Sequence, residues 1–225
     1  ARIASSGERL AKYTRLLEHA LHDTPSASLP SLVRTYVDGA VLDPVNTTGA
    51  GLLVGRHMLA HLATQLAAAH IPANILCTIV SDTLATCEAS SIMGDDELGP
   101  WRVLLAEQYA SLSRWRDAAQ ALQSITPHAA RRIPQLSFAQ LCVRVVELWL
   151  HDLPSHVAEA EQAIKRANSA ILDERDNKAL VHELWSYHAR VLAIQHRFME
   201  AAARYMDLPH ADMYAAVYAI ISPPS

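Results

Sequence analysis

The sequence predicts an all-α protein, and within that class a right-handed α-solenoid of antiparallel helical hairpins. Three observations predict it. First, an eight-residue pattern recurs: Trp115–Leu122 reads WRDAAQAL, Phe198–Tyr205 reads FMEAAARY, and a looser copy, VAEAEQAI, occupies Val157–Ile164. The starts lie 42 and 41 residues apart, the length of one helical hairpin with its connections, and such a period marks a stacked array rather than one closed core. Second, 51% of the residues are apolar but only 6% are aromatic, and alanine, the best helix former, supplies much of the difference. Third, there are only seven glycines and no alternating β-branched runs.

The elements follow from caps, breakers and apolar spacing. Ser5-x-x-Glu8 is a capping-box pattern that opens a helix to about residue 22, with Leu10, Tyr13, Leu16, Leu17, Ala20 and Leu21 on one face. Asp23-Thr-Pro-Ser ends it. A second helix, 29–42, carries Leu32, Val33, Tyr36, Val37, Ala40 and Val41 at helical spacing. Residues 43–51 read as a loop, with Thr47 or Thr48 as candidate cap for a third helix over 52–69. A fourth spans 73–90, and 94–100 is a break. Helices then follow at 100–112, 115–125, 135–151, 155–170, 174–195, 197–207 and 210–221. Pro134 and Pro154 stand where a helix can start without losing an internal hydrogen bond. Eleven helices on short turns make antiparallel neighbours the expected arrangement. The chain reads as a single helical-repeat domain over 1–225, with N-terminal helices in 1–95 and TPR-like hairpins in 98–221.

Within the octad the acid (Asp117, Glu159, Glu200) falls in the first helical turn, where the positive end of the helix dipole favours it. Ala118-Ala119 and Ala201-Ala202 remove bulk where a partner helix crosses. Trp115 and Phe198 are expected to fill the groove near the turn, and Leu122 and Tyr205 the far end. These eight are the structural repeat positions; no catalytic, cofactor or metal residue is assigned.

Composition narrows the function classes. A formal net charge of −4 and a pI near 6.3 leave no basic excess for a phosphate backbone, and Arg131–Arg132 and Lys165–Arg166 are isolated clusters, so nucleic acid is not an expected partner. Cys77, Cys87 and Cys142 form no C-x-x-C, lie on apolar faces and suit a reducing cytosol or nucleus as buried thiols. Asn46-Thr47-Thr48 matches a glycosylation sequon but reads as a turn. No apolar stretch approaches the ~18–20 residues that span a bilayer, so no membrane partner is expected. The start, ARIASSGERL, lacks an initiator Met, which reads as a piece of something longer.

Motifs for chemistry are weak. His57-x-x-x-His61 has metal-compatible helical spacing, but HMLAH lacks the glutamate of H-E-x-x-H, and His70 is too far along to be a third ligand. The pair reads as solvated histidines. His182, His188 and His196 are offset by six and eight residues and do not converge. Gly49-Ala-Gly51-Leu-Leu-Val-Gly55 has no preceding strand and no following Lys-Ser/Thr, so it reads as a loop entering a helix rather than a phosphate site. Asp95-Asp96 and Asp173-Glu174 read as solvated turn charges. No Gly-x-Ser-x-Gly and no His-x-His exists. The sequence shows no active site and calls for no cofactor.

Leu104–Ile125 (LLAEQYASLSRWRDAAQALQSI) resembles the COP9 signalosome subunit 4 family, in which a helix ending Leu-Ala-x-x-Tyr turns into Trp-x-x-Ala-Ala-x-x-Leu. The resemblance continues through Ala158–Ile171 and through His188–Leu208, where Ala-Arg-Val-Leu, a basic turn and Phe-x-Glu-Ala-Ala-x-Arg-Tyr follow in order. It extends to 215–221, and Leu10–Leu21 is similar to the family's first helix; 23–95 is supported by helix order alone. After Ile221 the chain reads Ser-Pro-Pro-Ser, where the family continues into a PCI winged-helix module, so that module is expected to be absent.

The resemblance implies a non-catalytic scaffold subunit, contributing to cullin deneddylation and to regulation of cullin–RING ubiquitin ligases through its N-terminal arm. The isopeptidase activity belongs to another subunit. The implied partners are other signalosome subunits and a cullin–RING ligase; the implied location is cytoplasm and nucleus. The alternatives are the paralogous PCI subunit of the proteasome lid, a metal protein built on His57 and His61, and a generic TPR-like adaptor. The last calls for a basic or asparagine-lined groove that the sequence does not display.

Overall fold

The computed structural model describes residues 6–131, 133, 137–171 and 177–208. In chain order its helices are α1 (Ser6–Asp23), α2 (Leu29–Tyr36), α3 (Pro44–Thr47), α4 (Leu52–Ala68), α5 (Ala73–Ser90), α6 (Asp95–Ser111), α7 (Trp115–Gln123), α8 (Pro127–Ala130), α9 (Phe138–Leu150), α10 (Val157–Ala170), α11 (Lys178–Ile194) and α12 (Phe198–Met206). No strand occurs among the described residues. The all-α helical-repeat class read from the sequence is borne out. The expected helix at 210–221, Ser5 of the capping box, Pro134 and Asp173-Glu174 lie outside the described residues.

The chain forms two compact units. One comprises Ala1–Arg114 with Ser124–Pro134; the other comprises Trp115–Gln123 with Gln135–Ser225. In the first, α4 packs on α1 and α6, while α5 packs on α2 and α6, and α8 closes against α6. Its core is built from Leu17, Met58, Leu62, Leu66, Ile79 and Trp101, all almost fully buried. In the second, α9 packs on α7, α10 and α11, and α11 pairs with α12 as a hairpin. Val146, Leu148, Trp149 and Leu184 form its centre.

Several expectations shift in physical detail. Helix 29–42 is α2 followed by a π-helical turn, Val37–Val41, in which Leu42 N–H reaches back to Val37 O at 2.8 Å. That wider turn keeps Val37, Ala40 and Val41 buried together. On α1 Leu17 is fully buried, but Leu16, placed on the same face from the sequence, is 61% exposed. The loop 43–51 contains α3, capped by Asp43, whose carboxylate accepts from Val45 N–H at 2.7 Å. Thr47 and Thr48 do not cap α4: their hydroxyls donate back to Asp43 O and Pro44 O.

Gly51 and Gly55 allow the start of α4 to press on the preceding segment. A Cβ on Gly51 would lie 1.9 Å from Val45 O, and one on Gly55 2.8 Å from Asn46 O. Neither position tolerates a side chain without backbone movement.

The break expected at 94–100 is instead the first turn and a half of α6, with Pro100 inside the helix. Glu97 accepts from Gly94 N–H at 3.0 Å, and Asp95, Asp96 and Glu97 all occupy the first turn, where the helix dipole favours them. Asp95-Asp96 are therefore helix-starting acids rather than turn residues. Pro154 lies in the turn before α10, not at its first position.

The turns before the two full octads share one geometry. Ser113 and His196, each two residues ahead of the octad aromatic, are left-handed, with φ of 57° and 60°. Arg114 N–H bonds to Tyr109 O at 2.8 Å and Ser113 N–H to Ala110 O at 3.0 Å; Arg197 N–H bonds to Leu192 O at 3.0 Å and His196 N–H to Ala193 O at 3.1 Å. Both are Schellman ends. At the first, the Arg114 guanidinium also lies 4.4 Å from the Tyr109 ring centre, joining the two positions that this motif brings together.

Candidate interaction surfaces

The octad positions sit on packed helix faces. In α7, Ala118, Ala119 and Leu122 are buried and the helix packs on α9. A void of about 10 Å3 beside Leu122 is bordered by Leu141, Val145 and Ala163. Trp115 is half-buried and stacks on His151, with ring centres 4.3 Å apart and planes 21° from parallel. Arg166 of α10 donates to Gln123 O at 2.7 Å and lies over the Phe138 ring at 5.3 Å, which satisfies a carbonyl at the end of α7 with a cation.

In α12, Ala201, Ala202 and Tyr205 are buried, and Phe198 is half-buried edge-on to His196 at 5.6 Å. Tyr205 packs with Ala189 of α11 and Leu208. The first-turn acids also hold partners. Glu200 pairs with Arg197, which holds its carboxyl below the usual range. A backbone hydrogen bond at the start of α10 does the same for Glu159, aided by His156.

The residues considered for chemistry are dispersed. His57 is exposed on α4, whereas His61 is half-buried, 3.5 Å from Gln65 Nε2, and His70 lies beyond the helix end. His182 leans toward Trp185 and His196 forms the turn before α12. Burial, then Arg204 and Arg197, lower the pKa of His188 against the opposing pull of Glu161 and Glu200. No group of three His, Cys, Asp or Glu among the described residues is placed to hold a metal ion. Cys77, Cys87 and Cys142 are buried and unbridged. Burial raises all three thiols, Cys87 to about 11, so they remain protonated at neutral pH. No helix among the described residues is long and apolar enough to cross a membrane.

A surface the sequence reading missed lies in the first unit. A groove of about 810 Å3 runs between α4 and α6. On the α4 side it is walled by Leu53, Arg56, His57, Ala60, Thr64 and Ala67; on the α6 side by Pro100, Val103, Leu104 and Glu107, with Trp101 and Ala63 below. Leu53 is 70% exposed, and His57, Ala60, Thr64 and Ala67 are also exposed. At one end the Arg56 guanidinium pairs with Glu97 at 3.1 Å, and Asp96 meets His128 of α8 at 2.7 Å. The one signal in the sequence is the spacing of the small residues Ala60, Thr64 and Ala67, which share one helical face with Leu53 and His57.

Curated proteins similar to the chain include subunits of one name from three organisms. COP9 signalosome complex subunit 4 of Caenorhabditis elegans is 30% identical over 206 residues, covering 84% of this chain and 50% of that protein. The subunit of the same name in Drosophila melanogaster is 26% identical over 205 residues, 88% of this chain and 46% of its own length. That of Arabidopsis thaliana is 26% identical over 168 residues, 74% and 41% respectively. The chain therefore spans about half the length of the curated relatives it matches. No family model matches it.

Proposed function

The chain is related to COP9 signalosome complex subunit 4, and from that premise we propose that it serves as a non-catalytic scaffold within a signalosome. Its helical arm then binds other signalosome subunits and a cullin–RING ligase, and contributes to cullin deneddylation whose bond-breaking chemistry another subunit supplies. In this reading it works in cytoplasm and nucleus, without nucleic-acid or membrane contacts. The observation that carries the proposal is the similarity to subunits of that name from two animals and a plant across 74–88% of this chain.

The physical character of the chain supports a binding role. Its functional-type side chains are spent on structure: the cysteines are buried and protonated, and the first-turn carboxylates hold arginine or histidine partners. Co-purification of the full-length protein from its native cell tests the reading. Signalosome subunits are expected in stoichiometric amounts; proteasome-lid subunits in their place would refute it. The purified chain is expected to bind a cullin–RING ligase and to leave its modifier attached, and deneddylation by a pure sample would equally refute the scaffold role.

A further inference from the structure

We propose that the turn joining α9 to α10 is a pH-sensitive clasp: protonated His156 holds Asp152 and Glu159 together, and neutral His156 releases Asp152. This goes beyond the scaffold reading and does not depend on which complex the chain joins. The imidazole stands between two carboxylates. Its Nδ1 lies 3.3 Å from Glu159 Oε1, in hydrogen-bond geometry, and its Nε2 lies 3.1 Å from Asp152 Oδ2. An ionised carboxylate only accepts, so each contact needs a ring proton, and only the imidazolium carries two. The neutral ring has to face one carboxylate with a bare lone pair.

The two carboxylates are not held equally. Glu159 occupies the first turn of α10, where the helix dipole favours an acid, and a backbone hydrogen bond supports it besides His156. Asp152 lies just past the end of α9, its N–H bonded to Trp149 O at 3.1 Å, where the dipole opposes an acid. Loss of a proton from His156 therefore leaves Nδ1–H on Glu159 and frees Asp152. α10 starts without a side-chain cap, and His156 is its N-cap residue. The closed clasp thus ties this uncapped start to the end of α9.

The bared Nε2 has a donor to turn to. Trp149 is 2% exposed, and its indole N–H has no acceptor among the described residues. The Trp149 and His156 ring centres are 5.3 Å apart, with the planes tilted by 55°. The imidazolium has no lone pair to offer that N–H, whereas the neutral ring has one. The other charged neighbours leave this choice in place. Arg116 of α7 acts on Glu159 and adds to the hold on that acid. α11 turns Glu183 and Tyr187 toward Arg144 and Glu147 of α9, more than one turn before Asp152. His151, also in the turn, stacks on Trp115 instead.

The test is a pH series of magnetic resonance spectra of the whole 225-residue chain, from about pH 5 to about pH 8, the range in which histidine changes charge. His156→Gln assigns the His156 ring signals, and Trp149→Phe assigns the Trp149 indole signal. The His156 ring, the Trp149 indole N–H and the Asp152 amide are expected to move with one midpoint, the indole proton shifting downfield as pH rises. In His156→Gln the indole and Asp152 signals are expected to stay flat, while His151→Gln leaves all of them moving. The proposal is overturned if the indole and Asp152 signals do not move, follow a different midpoint from the His156 ring, or still move in His156→Gln. If His156→Gln fails to fold, through-bond assignment and the comparison of midpoints in the parent chain decide. Failure here leaves co-purification of signalosome subunits untouched, so the two proposals fail separately.

Discussion

Replacing Ala201 by leucine puts the packing of α11 and α12 to a direct test, because Ala203 in the same helix is its matched control. Ala201 is 0% exposed, whereas Ala203 is exposed, so the two substitutions share a propensity change and differ in surroundings. Leucine adds three carbons at a site where α12 lies against α11. Forcing them in displaces a helix or drives the side chain off its rotamer, at about 1–3 kcal/mol. At about 2–4 °C per kcal/mol for a chain of this size, Tm should fall by about 2–12 °C. Ala203→Leu should stay within about 0.5 kcal/mol of the parent. Ala119→Leu in α7 repeats the experiment, since Ala119 is also 0% exposed and the void beside nearby Leu122 is only about 10 Å3, room for no more than about one water. Circular dichroism melts of the four proteins suffice. If Ala201→Leu and Ala203→Leu melt together, and Ala119→Leu melts with the parent, the small-residue account of the octad is wrong.

Two further outcomes follow from the titrating groups. Burial lowers the pKa of His188, so between its folded value and the ordinary value near 6.5 the unfolded chain binds more protons. Stability linked to His188 is therefore whole above about pH 6.5 and is lost as pH falls through the folded value; the urea midpoint should drop on acidification below that point, and His188→Gln should flatten this slope, whereas an unchanged slope contradicts the assignment. The three cysteines should resist a thiol reagent in the native chain at neutral pH and all react after denaturation, because burial both shields them and keeps them protonated; rapid stoichiometric labelling of the native chain would contradict their placement.

Helix existence and most boundaries were legible wherever local rules and packing agreed. α4 ends and α5 begins within a residue of expectation because Ile71-Pro72 punctuates them. The octads were legible as repeats, and so was the basic turn before Phe198, where Arg197 closes a Schellman end; that Arg114 takes the equivalent place before Trp115 came from the structure. Misreadings came where one residue carries conflicting signals. Pro100 looks like a breaker, but the cap from Glu97 and the first-turn acids establish α6 upstream of it. Thr47 and Thr48 look like caps, yet Asp43 sits four residues earlier with its carboxylate on the Val45 amide. Leu16 obeys the apolar period of α1 but stands at the edge of its packed face and is 61% exposed. The groove was illegible for another reason: its walls come from residues 53–67 and 96–107, and no single-helix periodicity reports which two faces are left open side by side.

Asn46 is 1% exposed, and its side-chain amide donates to Ala40 O at 2.8 Å. Behind it, Gly51 and Gly55 bring the start of α4 to within contact of the backbone at Val41, Val45 and Asn46. That places the single Asn-Thr-Thr motif at a close-packed seam of the first unit. A sugar on Asn46 and the folded first unit are thus mutually exclusive states of one chain. Only an unfolded chain could accept the modification, and once it carried a glycan there, α4 could not seat on the 41–46 segment.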